Sequence, residues 1–558
     1  MQTSRSLQSV LLVRTVPESV EMSLCFFYEG RQVNFLRKRS DPLETVLKRM
    51  RLNLAKLGKK EEVFAIEFLN EKAQTCRETE LGRVVEEAAT FRVGEKSYQV
   101  VKNAPRPLSV CLLHPIIAGA PALFKIDAEN FGNFGDFRLS WRVNETVGEG
   151  VEFVPDNAET GRQVHLTVCN PGLPEFAVTS PQTERTVILE DPGFAPFSVK
   201  QKLDRTLPAK LRIGTWNILA QGYVTTDVAR TVMYPHIKDE NVLQFAYRNS
   251  LIVRELLNFN GDLLFLQEVS PSFLELCFKP FLEPLGFQAT VAMKANSQRP
   301  NGVAVVSRNE RFNLTEQLQW SLGGDELKSE FSTAEWSKLV AEFGRHFDEV
   351  VIPNITTVAA VAVLGGQPCE DMVICVSTHL FYHPLGGHVR LLQMIALTRK
   401  IARLTEKAYP NASIILGGDL NSRPDRAAIQ FLKNGTISAS DSDWQFGPVF
   451  RWNFENEDEE PVVPEKVTEG RPNVQGIDAV HSLKLKWTFG NKSQNLPQLT
   501  HATASFRAVL DYLFISAGFR VTHDFPELQV SHEAIDTVGG LPCGNYGSDH
   551  VLVGAELS

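Results

Sequence analysis

Apolar residues in the second part of the chain form short, nearly continuous runs separated by longer segments of helical spacing. The runs predict strands at 211–219, 262–269, 302–307, 355–364, 372–380, 413–420, 511–515 and 551–556. Helical spacing predicts helices at 247–258, 332–343, 389–407 and 425–432. Strands made of continuous apolar residues are buried on both faces, so this alternation predicts a layered α/β fold.

The first part of the chain has a different pattern. Short apolar segments alternate with turn-forming residues over 1–195, which predicts a β-rich region. One helix is predicted at 43–57, where Val46, Met50 and Leu54 recur at helical spacing. Proline and glycine interrupt the pattern between 191 and 208. We therefore expect a domain boundary there, with a second domain from 205 to 558.

Two segments of the second domain are predicted to be surface insertions. Residues 316–350 are charged and helix-prone, and residues 445–495 contain several prolines and the acidic run 455–460. The 558 residues are 43% hydrophobic and 22% charged, which is the composition of a globular protein. No uncharged apolar run reaches the roughly 18 residues that suggest a membrane span, so no membrane partner is expected.

The charges exclude one class of nucleic-acid binder. The chain has 57 Lys and Arg against 66 Asp and Glu, a net charge of −9. This rules out a protein that coats nucleic acid through an overall positive field, but not an enzyme that binds a few phosphates. Residues 31–60 are the exception, with ten basic and two acidic side chains. They form either a solvated helix face or a basic edge that faces a polyanion.

Polar side chains recur where the predicted strands end, at the edge of the sheet where α/β folds assemble their sites. Taken alone, each has a structural interpretation: Glu268 as a strand-end carboxylate, Asp419 and Asn421 as helix caps, His379 as a core histidine. The recurrence of such peptides at element boundaries points to one site instead. They are Thr215–Asn217, Leu266–Glu268, Ser377–His379, Gly418–Asn421, Leu510–Tyr512 and Ser548–His550.

Three of these side chains suit a magnesium ion. Glu268, Asp419 and Asn421 offer hard oxygen ligands, and Mg²⁺ needs few of them because it keeps waters and accepts phosphate oxygens. Asp419 is also placed to orient or deprotonate an attacking water. The eight cysteines include no Cys-x-x-Cys pair, and the sequence has no Walker, nucleophile-elbow or His-Glu-x-x-His motif. The sequence therefore predicts metal-assisted hydrolysis of a phosphodiester or phosphomonoester.

The remaining candidates suit a phosphate group. Asn217 and His379, with the Asn421 amide, could donate hydrogen bonds to its non-bridging oxygens. Asp511 beside His550 would form an acid–imidazole pair, in which the carboxylate fixes the ring tautomer and raises the pKa of the imidazole. A charged His550 would then stabilise the negative charge that develops on the phosphate.

These motifs, in this order, resemble those of the endonuclease/exonuclease/phosphatase superfamily over 205–558. The resemblance implies a four-layered α/β sandwich. Residues 378–394, Thr-His-Leu-Phe-Tyr-His-Pro-Leu-Gly-Gly-His-Val-Arg-Leu-Leu-Gln-Met, resemble the deadenylase branch of that superfamily. Segments 13–17, 41–49 and 155–161 extend the resemblance more thinly into the first half of the chain.

The resemblance implies an Mg²⁺-dependent 3′-to-5′ exoribonuclease that cleaves 2′,5′-oligoadenylates and trims poly(A) tails of RNA, releasing 5′-AMP. It also implies a mitochondrial location. Residues 1–14 carry Arg5 and Arg14 and no acid, which is faintly similar to a presequence, and a cytoplasmic location is the alternative. The implied roles are metal binding by Glu268, Asp419 and Asn421, proton transfer by Asp419, phosphate contact by Asn217, His379 and His550, support of that histidine by Asp511, and stacking of the terminal adenine between Pro384 and Phe506.

Two other functions stay open at this point. One is hydrolysis of another superfamily substrate, such as an inositol phosphate, sphingomyelin or abasic DNA. The other is an inactive relative that binds RNA as a scaffold. Pro384 and Phe506 favour adenylate over the first, and the presence of every candidate ligand disfavours the second. The preference between 2′,5′ and 3′,5′ linkages, the oligomeric state and the protein partners are not readable from the residues.

Overall fold

The computed structural model describes residues 9–16, 19–58, 65–144, 146–181, 187–188, 210–295, 298–366, 369–451, 473–489, 499–525 and 528–558. The chain divides into two compact units. The first comprises Met1–Leu112, Phe124–Phe153 and Arg162–Glu184, and the second comprises Leu113–Leu123, Val154–Gly161 and Arg185–Ser558. The boundary predicted between 195 and 205 lies outside the described residues, and so does 1–8 of the presequence-like segment.

The first unit contains a six-stranded sheet with two helices on one face. Alternate residues of its strands, such as Val33 and Phe35, are buried against Met50 and Leu54 of the first helix. In chain order the elements are β1 (Val10–Thr15), β2 (Glu21–Tyr28), β3 (Arg31–Lys38), α1 (Leu43–Gly58), β4 (Ile66–Leu69), α2 (Leu81–Glu87), β5 (Thr90–Val93) and β6 (Lys96–Lys102). The strand order is β3-β2-β1-β6-β5-β4, with β1 and β6 parallel.

The rest of the first unit is also made of strands. Strands β7 (Arg106–Leu112) and β8 (Phe124–Glu129) form an antiparallel pair. A second sheet holds β9 (Arg138–Val143), β10 (Thr146–Glu149), β11 (Val164–Cys169) and Val178–Thr179. Trp141 is buried at its centre, with its ring centroid 5.7 Å from that of Phe124 and 5.1 Å from that of Phe153. The prediction of a β-rich N-terminal region is confirmed.

The second unit is built on two six-stranded sheets. Their elements are β12 (Leu211–Asn217), α3 (Phe245–Phe259), β13 (Leu263–Val269), β14 (Phe287–Met293), β15 (Gly302–Arg308), β16 (Asn313–Ser321), α4 (Thr333–Phe343), β17 (Val358–Gly366), β18 (Cys369–His379), α5 (Gly387–Ala408), β19 (Ser413–Asp419), α6 (Ala427–Asn434), β20 (Asp511–Ile515), β21 (Val521–His523), α7 (His532–Val538) and β22 (Val553–Leu557). The first sheet has the order β14-β15-β13-β12-β22-β21, and the second has the order β16-β17-β18-β19-β20 followed by Lys486–Trp487.

The two sheets pack face to face, with helices on their outer faces. Between the sheets, a Cβ on Gly417 would lie 2.6 Å from the ring of Phe265, so the glycine lets that ring fill the interface. On the outer face of the first sheet, Phe259 of α3 packs against the backbone of Gly214 and Gly554. Helix α5 buries its apolar face against the second sheet. The prediction of an α/β sandwich is confirmed.

The predicted surface insertions differ from what the structure shows. Residues 316–350 include most of β16, the edge strand of the second sheet, and α4, whose Leu339 and Phe343 are buried in the main core. That prediction was wrong because the charged residues occupy only the outer face of these elements. In 445–495, Ile477 and Trp487 are likewise buried, whereas 452–472 and 490–495 lie outside the described residues. In the part of the chain that the structure describes, no helix is long and apolar enough to cross a membrane.

Candidate active site

The polar strand ends meet at one edge of the paired sheets. Strands β12 and β13 run parallel, as do β18 and β19, so each pair presents its carboxyl ends at the same edge. Strand β20 runs antiparallel to β19 and pairs Asp511 with Asp419. The turn before β22 supplies His550, whose backbone pairs with that of His501. The structure thus brings together the side chains of Asn217, Glu268, His379, Asp419, Asp511 and His550.

Glu268 occupies a β-bulge. Its φ is +59°, and the pairing of β13 with β15 shifts register between Gln267 and Val269. The bulge takes Glu268 out of the inward–outward alternation of the strand and turns its carboxylate toward the site. Gly302 lies opposite, where a Cβ would come 2.1 Å from the carbonyl oxygen of Ala292. The carboxylate accepts hydrogen bonds from Asn217 Nδ2 at 3.0 Å and from the backbone amide of Ala220 at 2.7 Å.

Asp419 and Asn421 are held by a tight turn at the end of β19. Asp419 Oδ1 accepts the amide of Asn421 at 3.0 Å, and Asn421 adopts a φ of +47°, which asparagine tolerates. Asn421 Nδ2 donates to the carbonyl of Leu380 at 2.9 Å, which leaves its amide oxygen as the atom that could bind a cation. Asn217 Nδ2 donates to Asp419 Oδ2 at 3.1 Å as well as to Glu268, so one amide bridges the two carboxylates.

Two histidines flank Asp419. His550 Nδ1 lies 2.8 Å from Asp511 Oδ2, and His550 Nε2 lies 3.6 Å from Asp419 Oδ2. Burial alone would lower the pKa of His550, but the charges of Asp511 and Asp419 outweigh it and raise the pKa to about 10, so the ring is protonated. His379 Nε2 lies 3.4 Å from Asp419 Oδ2. Burial, with the charges of Lys294 and His550, holds the pKa of His379 well below its usual value, so that ring is neutral.

The carboxylates of the site are suited to a hard divalent cation. Burial and the nearby charge of Asp549 raise the pKa of Glu268, and burial raises the pKa of Asp419 to about 7. Asp419 and Asp511 have carboxylate oxygens within 4.8 Å of one another, close enough to share one ion. Among the described residues, Asp511 Oδ1 and Asp549 Oδ1 are buried without a hydrogen-bond partner. Buried carboxylates with unused oxygen atoms fit a cation such as Mg²⁺.

Asp549 is a functional candidate that sequence reasoning did not select, although it lies inside the Ser548–His550 motif. Its Oδ2 accepts the hydroxyl of Tyr234 at 2.8 Å and lies 3.5 Å from His501 Nε2. Burial would raise the pKa of Asp549, but the hydrogen bond from His501 and the charge of His550 hold it well below its usual range. Polar side-chain atoms of Asp549, His501 and His550 all lie within 4.8 Å of one another. The sequence feature that pointed to a role for Asp549 was its position next to His550.

A buried arginine fixes the loops around the site. Arg248 of α3 donates to the carbonyl of Gly547 at 2.7 Å and to that of Leu219 at 2.8 Å, so it ties the loop after β12 to the loop before β22. Ser548 Oγ donates to the carbonyl of Asn217 at 2.6 Å. Trp216 Nε1 donates to the carbonyl of His550 at 2.7 Å. These bonds place the histidine turn against the end of β12.

The two residues proposed to stack a base are both exposed. Pro384 lies on the loop between β18 and α5. Phe506 is 49% exposed at the tip of a hairpin, where Thr503 Oγ1 accepts the Phe506 amide at 3.0 Å. The ring of His501 lies between those of Phe506 and His550, with centroid distances of 5.5 and 4.5 Å. An exposed aromatic ring therefore lies close to the buried polar centre.

Comparison with known proteins identifies the family. The sequence pattern of the endonuclease/exonuclease/phosphatase family matches residues 214–550, more than half of the chain. The chain belongs to this family. The matched region begins within β12 and ends at His550, so it contains every polar strand end described above. The resemblance seen in the motifs is thereby confirmed.

Several curated relatives match over different extents. The 2′,5′-phosphodiesterase 12 of Rattus norvegicus is 27% identical over 613 residues, covering 98% of this chain and 93% of its own. The human protein of the same name is 26% identical over 627 residues, covering 100% and 95%. A probable CCR4-Not complex 3′-5′-exoribonuclease subunit Ccr4 of Encephalitozoon cuniculi is 25% identical over 358 residues, covering 62% of each chain.

Membership of the endonuclease/exonuclease/phosphatase family makes this chain a hydrolytic enzyme of the phosphodiesterase and nuclease type. The prediction of an enzyme is confirmed. The family is metal-dependent, and the described residues include candidate ligands. The similarity to 2′,5′-phosphodiesterase 12 extends through the first unit as well as the second.

Proposed function

We propose that this enzyme is an Mg²⁺-dependent 3′-to-5′ exoribonuclease that hydrolyses 2′,5′-oligoadenylates and poly(A) tails and releases 5′-AMP. The observation that carries the proposal is the pairing of two carboxylates, Glu268 and Asp419, across the amide of Asn217, with protonated His550 beside them. This grouping supports a metal site on the carboxylates next to a phosphate contact from His550.

Each side chain has a role in hydrolysis. Glu268, Asp419 and Asn421 would hold Mg²⁺, which when bound supplies Lewis-acid polarisation of a phosphate oxygen. Asp419, which lies beside His379 and His550, would accept a proton from the attacking water. His550 donates a hydrogen bond to the phosphate as negative charge develops, and Asp511 keeps its ring oriented. Neutral His379 would add a contact to a non-bridging oxygen. Asn217, predicted for the same role, instead gives both of its Nδ2 hydrogens to Glu268 and Asp419 and so orients these carboxylates.

Binding of the terminal adenine by stacking is supported by the exposed Pro384 and Phe506. A flat proline ring opposite an aromatic face binds a base through stacking, which is worth about 1–3 kcal/mol per base. The relatives named 2′,5′-phosphodiesterase 12 and the Ccr4 exoribonuclease favour a nucleotide polymer as substrate over an inositol phosphate or a sphingolipid. The substrate is then the 3′ end of an oligoadenylate or an A-tailed RNA.

Product analysis tests the proposal. The purified chain with Mg²⁺ is incubated with 2′,5′-triadenylate and with A-tailed RNA, and released 5′-AMP is measured. Asp419→Ala and Glu268→Ala should each lower the rate at least about 100-fold, the contribution expected of a group that transfers a proton or holds the metal. Asp425→Asn is the control, since this exposed carboxylate lies in the adjacent loop and pairs only with Arg423 among the described residues. Absence of 5′-AMP from both substrates would refute the proposal.

We also propose a mitochondrial location, on the resemblance alone. Fractionation of cells that express the full chain with a C-terminal tag tests it. Recovery of the protein with a matrix marker supports the proposal, and recovery only with a cytosolic marker contradicts it.

A further inference from the structure

A buried guanidinium donates to several carbonyls of the loop that carries Pro384. Arg390, in the first turn of α5, is 5% exposed. Its Nη1 donates to the carbonyls of Phe381 at 3.0 Å and His383 at 2.6 Å, and its Nη2 donates to the carbonyl of Pro384 at 3.3 Å. Three carbonyls of one loop therefore converge on one side chain.

The same guanidinium also reaches the loop of Asn421. Arg390 Nε donates to Ser422 Oγ at 3.1 Å, and Ser422 directly follows Asn421. The carbonyl of Ser422 accepts the hydroxyl of Tyr512 at 2.6 Å, which anchors that residue to β20. Arg390 thus connects the loop of Pro384, which is proposed to stack the adenine, to the loop of Asn421, a proposed metal ligand.

The geometry suits arginine alone among the basic residues. A planar guanidinium presents its donors in a fixed fork, whereas a lysine ammonium is a point charge on a flexible stem. Lysine at this position would keep the charge but could not bond both loops in the same geometry. Without the fork, the distance and angle between the two loops would no longer be defined by hydrogen bonds from one rigid group.

A second anchor keeps the Pro384 loop folded independently of Arg390. Gln393 Oε1 accepts the backbone amide of Phe381 at 3.0 Å, and Gln393 Nε2 donates to the carbonyl of Leu322 at 3.1 Å. Gln393 therefore fixes the start of the loop to α5. Arg390 differs because its bonds also extend to the metal-site loop.

We propose that Arg390 is a positioning residue for substrate selection: it sets the placement of Pro384 relative to Asn421 and thereby the preference for a terminal adenine. The inference rests on the proposed function, because it assumes that Pro384 stacks the base and that Asn421 belongs to the metal site. The base and the scissile phosphate belong to the same nucleotide, so their two binding elements must keep a fixed separation. Arg390 holds that separation without contacting the substrate.

The test measures base preference in Arg390→Lys and Arg390→Gln. The kcat and KM are determined for otherwise identical oligonucleotides ending in A or in U, and the ratio of kcat/KM for the two is the readout. We expect the ratio to fall about threefold in Arg390→Lys, mainly through KM of the A-ended substrate, because the larger adenine ring gains more from stacking than uracil does. Arg399→Lys is the matched control, because Arg399 lies on the same helix and donates to the carbonyl of Glu330 at 2.6 Å. It should keep the wild-type ratio.

The outcomes separate this inference from the proposed function. An unchanged ratio in a folded Arg390→Lys enzyme, judged by an unaltered thermal transition, overturns the positioning role and leaves the proposed function intact. If the wild-type enzyme shows no preference for A, the proposed stacking of adenine on Pro384 is itself contradicted. If neither Arg390 variant folds, Ser422→Ala decides, since it removes the link from the other side. A lowered ratio there supports the inference, and an unchanged ratio overturns it.

Discussion

Glu268 shows how much of the site depends on a single backbone conformation. As an ordinary strand residue it would follow the alternation of β13, but its φ of +59° places it in a bulge that turns its carboxylate toward Asn217. Its candidacy as a ligand was readable from its place at a strand end. The bulge could not be predicted from the sequence, because a register shift depends on the partner strand β15, which is distant in sequence. Gly302 of that partner strand lies opposite the bulge and is a sequence feature that fits it.

Asp549 is a further buried carboxylate of the site. Its Oδ1 is buried and has no hydrogen-bond partner among the described residues, and its charge contributes to the raised pKa of Glu268. We therefore expect Asp549 to support cation binding at the site. Asp549→Asn should raise the Mg²⁺ concentration for half-maximal activity at least about tenfold, as loss of a ligand or its support does.

A magnesium titration of the rate checks this expectation. Tyr234→Phe is the matched control, since it removes only the hydrogen bond to Asp549 Oδ2 and leaves the carboxylate in place. The control should shift the titration less than Asp549→Asn. Equal Mg²⁺ requirements in wild type and Asp549→Asn would exclude the residue from the metal site.

At the scale of elements, apolar patterning predicted the second unit well. Helix α5 was expected at 389–407 and spans Gly387–Ala408, and the strand expected at 511–515 spans Asp511–Ile515. Buried strands and a one-sided helix are local patterns, so they can be read without the fold. The edge strand Asn313–Ser321 was not predicted, because Glu316 interrupts the alternation of Leu314, Leu318 and Trp320 along its half-buried face. Whether such a segment joins a sheet is decided by its neighbour Val358–Gly366.

His388, at the start of α5, is expected to lower the stability of the protein in acid. His388 is buried against the rings of Phe343 and Phe450, and burial, with the charges of Arg390 and His383, lowers the pKa of His388 to about 3. In the unfolded chain a histidine protonates near pH 6.5, at about its usual pKa. Between those values the unfolded state binds the extra proton, so the free energy of unfolding falls as the pH falls through that window.

Replacing His388 by phenylalanine removes the contribution of this imidazole to the loss of stability in acid. Between pH 7 and pH 4.5, His388→Phe should lose about 2.5 kcal/mol less stability than wild type, at about 1.4 kcal/mol per pKa unit. Urea unfolding at the two pH values measures the difference. His532→Phe, at an exposed position on α7, is the control. A pH dependence identical in His388→Phe and wild type would contradict the assignment.

For the whole molecule, the charge distribution limits how RNA can be bound. The chain has a net charge of −9, and its site is also rich in carboxylates. Attraction of RNA by an overall positive field is therefore excluded. Recognition of a short adenylate end needs no such field. The exposed Lys48, Arg49 and Lys56 of α1 are different, because they form a local basic face in the first unit. Sequence and fold leave two interpretations of that face, a solvated surface or a contact for the body of a long RNA.

Charge reversal on α1 decides between these interpretations. If the face binds phosphates, Lys48→Glu, Arg49→Glu and Lys56→Glu combined should weaken binding of a 20-nucleotide A-tailed RNA and leave binding of a dimer unchanged. The slope of log affinity against log salt should fall by about 2, since each lost phosphate contact on a single strand contributes about 0.7. The matched control reverses exposed charges elsewhere in the first unit, with Lys125→Glu and Arg138→Glu. Equal affinity of the α1 variant and the control for long RNA would establish a solvated face, whereas parallel loss for RNA and dimer would indicate damage to the fold.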